Sequence, residues 1–133
     1  MNIDELLELK EKNVSFGSHG VNHVNLNSMS DKEILNEITA SKKWIKDTIG
    51  VTAKILSLPR GRYNSFVLSQ ARKMGYEHVL SIIPFKNKVG SGSPYLLGRI
   101  VVDPNDGIVE FLIKCLGGYA CWGSGKAKQN GLK

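Results

Sequence analysis

The sequence has no stretch of about 20 consecutive apolar residues, so no segment of it reads as a membrane-spanning helix. Cysteine is scarce: Cys115 and Cys121 flank Gly117-Gly118 and lack the C-x-x-C spacing. The loop between them is short for a structural disulfide, and no two further ligands stand nearby for a zinc site. A reduced pair in a reducing compartment is expected. No block of five or more Lys or Arg occurs, although the net charge is +6. Residues 1–50 carry six Lys against eight Asp or Glu, and residues 51–133 carry twelve Lys or Arg against four acids. The basic residues of the second part are scattered, apart from Lys126, Lys128 and Lys133 in the tail. A nucleic-acid surface usually gathers its charge, so nucleic acid is not the expected partner. Met1-Asn2-Ile3-Asp4-Glu5 has neither the basic n-region nor the apolar h-region of a signal peptide. A cytoplasmic protein is the expectation unless a segment lies upstream. Finally, no Asp-Asp pair occurs anywhere in the chain.

What is present suffices for one domain, or a piece of a larger one. The chain has 133 residues, 41% of them hydrophobic. Ile3, Leu6, Leu7 and Lys10 predict a short amphipathic helix over residues 4–12. Val14-Ser15-Phe16 reads as a brief strand. Ser30-Asp31-Lys32-Glu33 is a capping-box pattern that opens a second helix. Ile34, Ile38, Ser41 and Ile45 repeat on one face of it, with Leu35 and Ile49 beside them and Trp44 packing on that face, and Gly50 stops it. Lys54–Leu58 reads as a strand. Asn64 or Ser65 caps a third helix through Val67, Leu68, Ala71 and Met74, stopped by Gly75. His78–Ile83 is a further strand, Pro84–Pro94 a loop and Arg99–Val102 a last strand. Asp106 opens a final helix that ends at Gly117-Gly118. Helices alternate with strands, which argues for a parallel sheet and an α/β fold. Residues 119–133, rich in Gly and Lys, read as a frayed tail.

Chemistry concentrates in Ser18-His19-Gly20-Val21-Asn22-His23, which holds two of the three histidines. On a helical turn residues i and i+4 share one face, and neutral imidazole is a favoured zinc ligand. Such a pair can grip one ion from one side. It can equally be a surface pair with ordinary hydrogen bonds. The third histidine, His78, falls inside a strand and reads as structural. Asp4, Asp31 and Asp47 fall on helices and read as solvated or capping residues. A second loop, Pro59-Arg60-Gly61-Arg62-Tyr63-Asn64, follows the next strand. Ligand loops of α/β folds usually stand at such strand ends.

The order of these segments resembles the polysaccharide deacetylase, or NodB-homology, family. Phe16-Gly17-Ser18-His19 through His23-Val24-Asn25-Leu26 is similar to its "GSHTxxHPxL" motif. Leu56-Ser57-Leu58-Pro59-Arg60-Gly61-Arg62-Tyr63-Asn64 is similar to its "FAYPxGxYN" motif. Met29–Gly50 follows its "LSxEExxxEIxxSKxxIxxxxG" helix, Met74-Gly75-Tyr76 its "xAGY" turn and Leu97–Ile100 its "LxRI" strand. The resemblance covers roughly residues 5–118. It implies a partial distorted (β/α) barrel over residues 1–118. It also implies a metal-dependent hydrolase that removes acetyl groups from amino-sugar polymers or oligosaccharides. His19 and His23 would be metal ligands, most often for zinc. The Arg60 backbone N–H would stabilise the oxyanion, and Gly61 would let the backbone approach the substrate. Pro59 and Tyr63 would belong to the substrate loop.

The departures bear on activity. The family's "TFDDG" motif supplies the base aspartate and the third metal ligand, and nothing here matches it. Gly20 replaces the usual Ser or Thr, Val24 the common Pro and Arg60 the usual aromatic. The late general-acid histidine has no counterpart after Leu97. The resemblance therefore implies a truncated domain with a weakly held metal, whose open sheet edges favour self-association. The alternative is a non-catalytic remnant that binds carbohydrate or a partner.

Overall fold

A computed structural model of the chain describes residues 2–84, 87 and 95–118. The tail expected over 119–133, with Cys121, lies outside the described residues, as does most of the 84–94 loop. The elements in chain order are α1 (Ile3–Glu11), α2 (Asp31–Ile49), β1 (Ile55–Ser57), α3 (Ser65–Lys73), β2 (His78–Leu80), β3 (Leu96–Leu97) and α4 (Ile108–Cys115). The strands form one parallel sheet in the order β1-β2-β3. α3 separates β1 from β2, as expected of an α/β fold, whereas among the described residues no helix stands between β2 and β3.

Local chemistry sets each helix. Ser30 accepts from the Glu33 N–H while the Glu33 side chain reaches back to Ser30, the reciprocal capping box that the sequence pattern predicts. Gly50 ends α2 in the left-handed region at φ 72°. A second capping box, Asn2 with Glu5, opens α1, and Asn64 caps α3. Two lysines tie helix ends to neighbours: Lys10 Nζ donates to the Ile49 carbonyl at 2.8 Å, and Lys42 Nζ to the Met74 carbonyl at 2.7 Å. The core lies between α2, α3 and the sheet, with Ile34, Ile38, Leu56, Leu58, Val67 and Val79 fully buried. Burying each such side chain contributes about 1.5–3 kcal/mol.

Four expectations are corrected. Val14–Phe16 is not a strand. The segment joins the sheet through one parallel bridge, Ser18 with Leu56, where Ser18 N–H donates to Ile55 and Ser57 N–H to Ser18. It lies at the edge, with a sheet neighbour on one side only among the described residues. Arg99–Val102 is not a strand either. The ladder closes earlier, with Leu96 against Val79 and Leu97 against Leu80. Beyond it the Asn87 amide binds both the N–H and the carbonyl of Gly98 at 2.9 Å, which turns the chain out of the sheet. Trp44 is 52% exposed, because it flanks the buried stripe of α2 instead of lying in it. Lastly, Gly107, not Asp106, caps α4, and the Asp106 carboxylate accepts from Lys114 Nζ at 2.6 Å instead. Among the described residues no helix is long and apolar enough to cross a membrane.

Candidate functional site

The parallel bridge at Ser18 makes the His segment and β1 neighbours, so the loops that leave their C-terminal ends meet. An added Cβ on Gly20 would stand 3.6 Å from Pro59 Cγ. Gly20 itself has φ 77° and His23 has φ 53°. The His19 and His23 rings, both exposed, lie with centroids 5.0 Å apart at an interplanar angle of 51°. His19 Nδ1 lies 2.7 Å from the Ser57 carbonyl oxygen. A carbonyl only accepts, so Nδ1 carries the proton and the lone pair of the neutral ring is on Nε2. This is how second-shell carbonyls orient imidazole ligands.

Glu37, a residue the sequence patterns leave unremarked, holds the His loop in place. Its carboxylate is buried at 3% exposure and accepts the main-chain N–H groups of Val21 at 2.8 Å and Asn22 at 3.0 Å, as well as the Asn22 side-chain amide. Burial pushes this carboxyl up, but the three donors outweigh it and hold it below the ordinary range. Ser18 and Ser41 share a buried hydrogen bond of 2.6 Å beneath the loop. The Glu37 and Ser41 positions fall on matched letters of the α2 motif, which is the signal that could have pointed to them.

The second loop is a tight 3₁₀ turn, Pro59–Gly61. Pro59 and Gly61 are buried, and the Arg60 side chain is exposed. Arg60 sits in the left-handed region at φ 56°, ψ 11°, a strained conformation for an arginine. Among the described residues its N–H makes no hydrogen bond. Gly61, at φ 64°, has no room for a side chain, since a Cβ there would lie 2.4 Å from both Ile82 N and Ile82 Cγ1. Buried Ser81 donates to the Gly61 carbonyl at 2.8 Å and so closes the turn against the end of β2. Tyr63 packs against the core, where burial pushes its phenol up. His78 is a half-buried member of β2, in keeping with a structural role.

His19 and Gly20 also line a groove of about 520 Å³ with Phe16, Val21 and Trp44. Zinc takes four ligands, and catalytic zinc three from protein. Among the described residues no group of three His, Cys, Asp or Glu could hold a metal ion. The donor set therefore fits part of such a site and not the whole of one.

The histidine loop, the turn and the helix between them fall together within residues 1–79, the span matched by the polysaccharide deacetylase family model. The chain belongs to the polysaccharide deacetylase family. Among its relatives is the Bacillus subtilis (strain 168) protein named "Putative polysaccharide deacetylase YxkH", 30% identical over 101 residues, covering 76% of this chain and 36% of that protein. Streptococcus pyogenes deacetylase PplD, solved in complex with acetate, superposes with a TM-score of 0.74 at 24% identity, over 86% of this chain and 50% of that one. A polysaccharide deacetylase from Bacillus cereus superposes at 0.71 with 17% identity, over 86% and 36%. These structures share the fold, the (β/α) barrel type of the family. This chain spans about a third of the curated relative and about half of the streptococcal structure.

Proposed function

We propose that this deacetylase-family chain presents part of a metal-dependent site, acting on acetyl groups of an amino-sugar polymer or oligosaccharide. His19 and His23 would hold the ion, zinc being among the metals that imidazole suits. When bound, it would supply Lewis-acid chemistry. The Arg60 N–H would receive the charge that develops on the acetyl oxygen, with Gly61 letting the backbone come close and Pro59 and Tyr63 shaping the loop. One observation carries this reading: the Ser57 carbonyl fixes His19 with Nε2 free beside His23. With no carboxylate joining them among the described residues, the pair is incomplete as a hydrolytic centre, and no hydrolytic step is assigned to this chain alone.

Four-ligand zinc sites contribute about 10–16 kcal/mol at neutral pH. Half of that corresponds to a Kd of about 1 μM or weaker. Zinc titration by calorimetry is expected to give weak binding that His19→Ala and His23→Ala each abolish. Binding indifferent to both substitutions would overturn the reading. Stoichiometric binding much tighter than 1 μM, lost in both, would mean that a further ligand is present and would call for an acetyl-release assay.

A second reading is non-catalytic: the domain binds glycan or another chain, a second copy included, without turnover. It is favoured by the open sheet edge, where among the described residues the N–H groups of Ser15, Phe16 and Gly17 make no hydrogen bond.

A further inference from the structure

Arg99 follows Gly98, whose backbone is clamped on both sides by the Asn87 amide. Its half-buried side chain turns back across the C-terminal ends of β1 and β2. Nε donates to the Ser81 carbonyl at 3.2 Å, and Nη2 donates to Ser57 Oγ at 3.0 Å. Among the described residues no carboxylate pairs with it. A guanidinium is a rigid planar fork whose geometry is fixed once two of its donors are engaged. Here both engaged donors go to neutral oxygens, so what it contributes is position more than charge pairing. Each serine stands directly behind one half of the site. The Ser57 carbonyl holds His19 Nδ1, and Ser81 Oγ holds the Gly61 carbonyl.

We infer that Arg99 is a positioning residue that sets His19 and the Pro59–Gly61 turn relative to each other through Ser57 and Ser81. It touches neither imidazole nor the turn itself, and acts only through those two serines. The inference rests on the metal reading for its consequence, but its geometric claim concerns the metal-free protein.

The test compares Arg99→Met, Arg99→Lys and Ser57→Ala with the parent chain. The readouts are imidazole ¹⁵N shifts of metal-free His19 and zinc affinity by calorimetry, with circular dichroism as the check on folding. The parent should show a single Nδ1–H tautomer at His19. Arg99→Met should move His19 toward the averaged shifts of a free imidazole and weaken zinc about tenfold, the lower end for loss of a second-shell partner. Arg99→Lys keeps the charge but not the fork, and should recover only part of either effect. Ser57→Ala leaves Arg99 and the carbonyl in place and should shift His19 in the same direction by less. It carries the test if Arg99→Met does not fold. An unchanged His19 spectrum in Arg99→Met, or an effect there that Ser57→Ala does not share, overturns the inference. If the parent binds no zinc, the metal reading fails, and the His19 tautomer alone decides the role of Arg99.

Discussion

Glu37 is buried, yet among the described residues it pairs with no cation. Its charge is balanced by N–H dipoles from the His loop, so it joins α2 to the site as a strut. Removing it in Glu37→Ala should cost about 1.5–3 kcal/mol, the range for hydrogen bonds to a charged group, read by urea unfolding. Glu37→Gln keeps an acceptor and should lose less. The pH dependence has a definite sign. The folded-state pKa is depressed below the ordinary 4.5, so the carboxylate's contribution is full above 4.5 and is lost as pH falls through the folded value. The stability gap between the parent chain and Glu37→Gln should therefore be flat near neutrality and begin to close only as the pH falls below 4.5. A gap that widens on acidification would contradict this. Gly61 is the other residue whose role is steric and sharp. Gly61→Ala would place a methyl 2.4 Å from Ile82 in a left-handed conformation, and should cost about 2–4 kcal/mol in the same experiment. The two histidines and this glycine are legible in the sequence because their motifs are short and contiguous. Glu37 and Arg99 fall on matched motif letters too, but their roles are not legible there, because each acts on a segment distant in sequence, Glu37 on residues 15 and 16 positions away and Arg99 on Ser57, 42 away.

At the scale of elements, the helices are legible because their signals are local. A capping box, a 3.6-residue stripe and a terminal glycine together define α2, and each is visible without the sheet. Ser30→Ala removes the cap and should cost about 1 kcal/mol, or about 3–5 °C in thermal unfolding. An unchanged Tm would mean that Glu33 alone holds the helix start. Strands carry weaker local signals, since a ladder depends on its partner. Val14-Ser15-Phe16 has strand-forming residues, but among the described residues its segment pairs only beyond them, at Ser18. Ile100-Val101-Val102 has the stronger β-propensity, yet Leu96-Leu97 takes the place beside β2. Asn87 then fixes Gly98, and Val101 and Val102 are left 57% and 53% exposed. A side-chain amide from across the loop thus decides where the last strand ends, which no windowed pattern can register.

At the scale of the whole molecule, the described surface is unusually apolar in two places. On α4, Ile108, Val109 and Leu116 are 71%, 67% and 84% exposed. The second is the sheet edge, where the open backbone of Ser15–Gly17 borders the groove flanked by Trp44. Unpaired edge N–H groups beside apolar surface form a template for another strand. A second copy can supply one by the same edge, since a two-fold axis makes one patch self-complementary. If the open edge governs association, the chain should sediment above monomer mass at tens of micromolar. A charge at the groove rim should then reverse it. Trp44→Lys changes a half-exposed side chain, so it should alter stability by no more than about 0.5 kcal/mol. It would nevertheless place an ammonium against the incoming apolar surface, and the desolvation of that charge opposes docking. Sedimentation velocity on both proteins separates the two patches. A shift to monomer in Trp44→Lys assigns association to the edge and groove. Undiminished association in Trp44→Lys, with a shift to monomer in Val109→Lys, would assign it to α4 and remove the edge from the account.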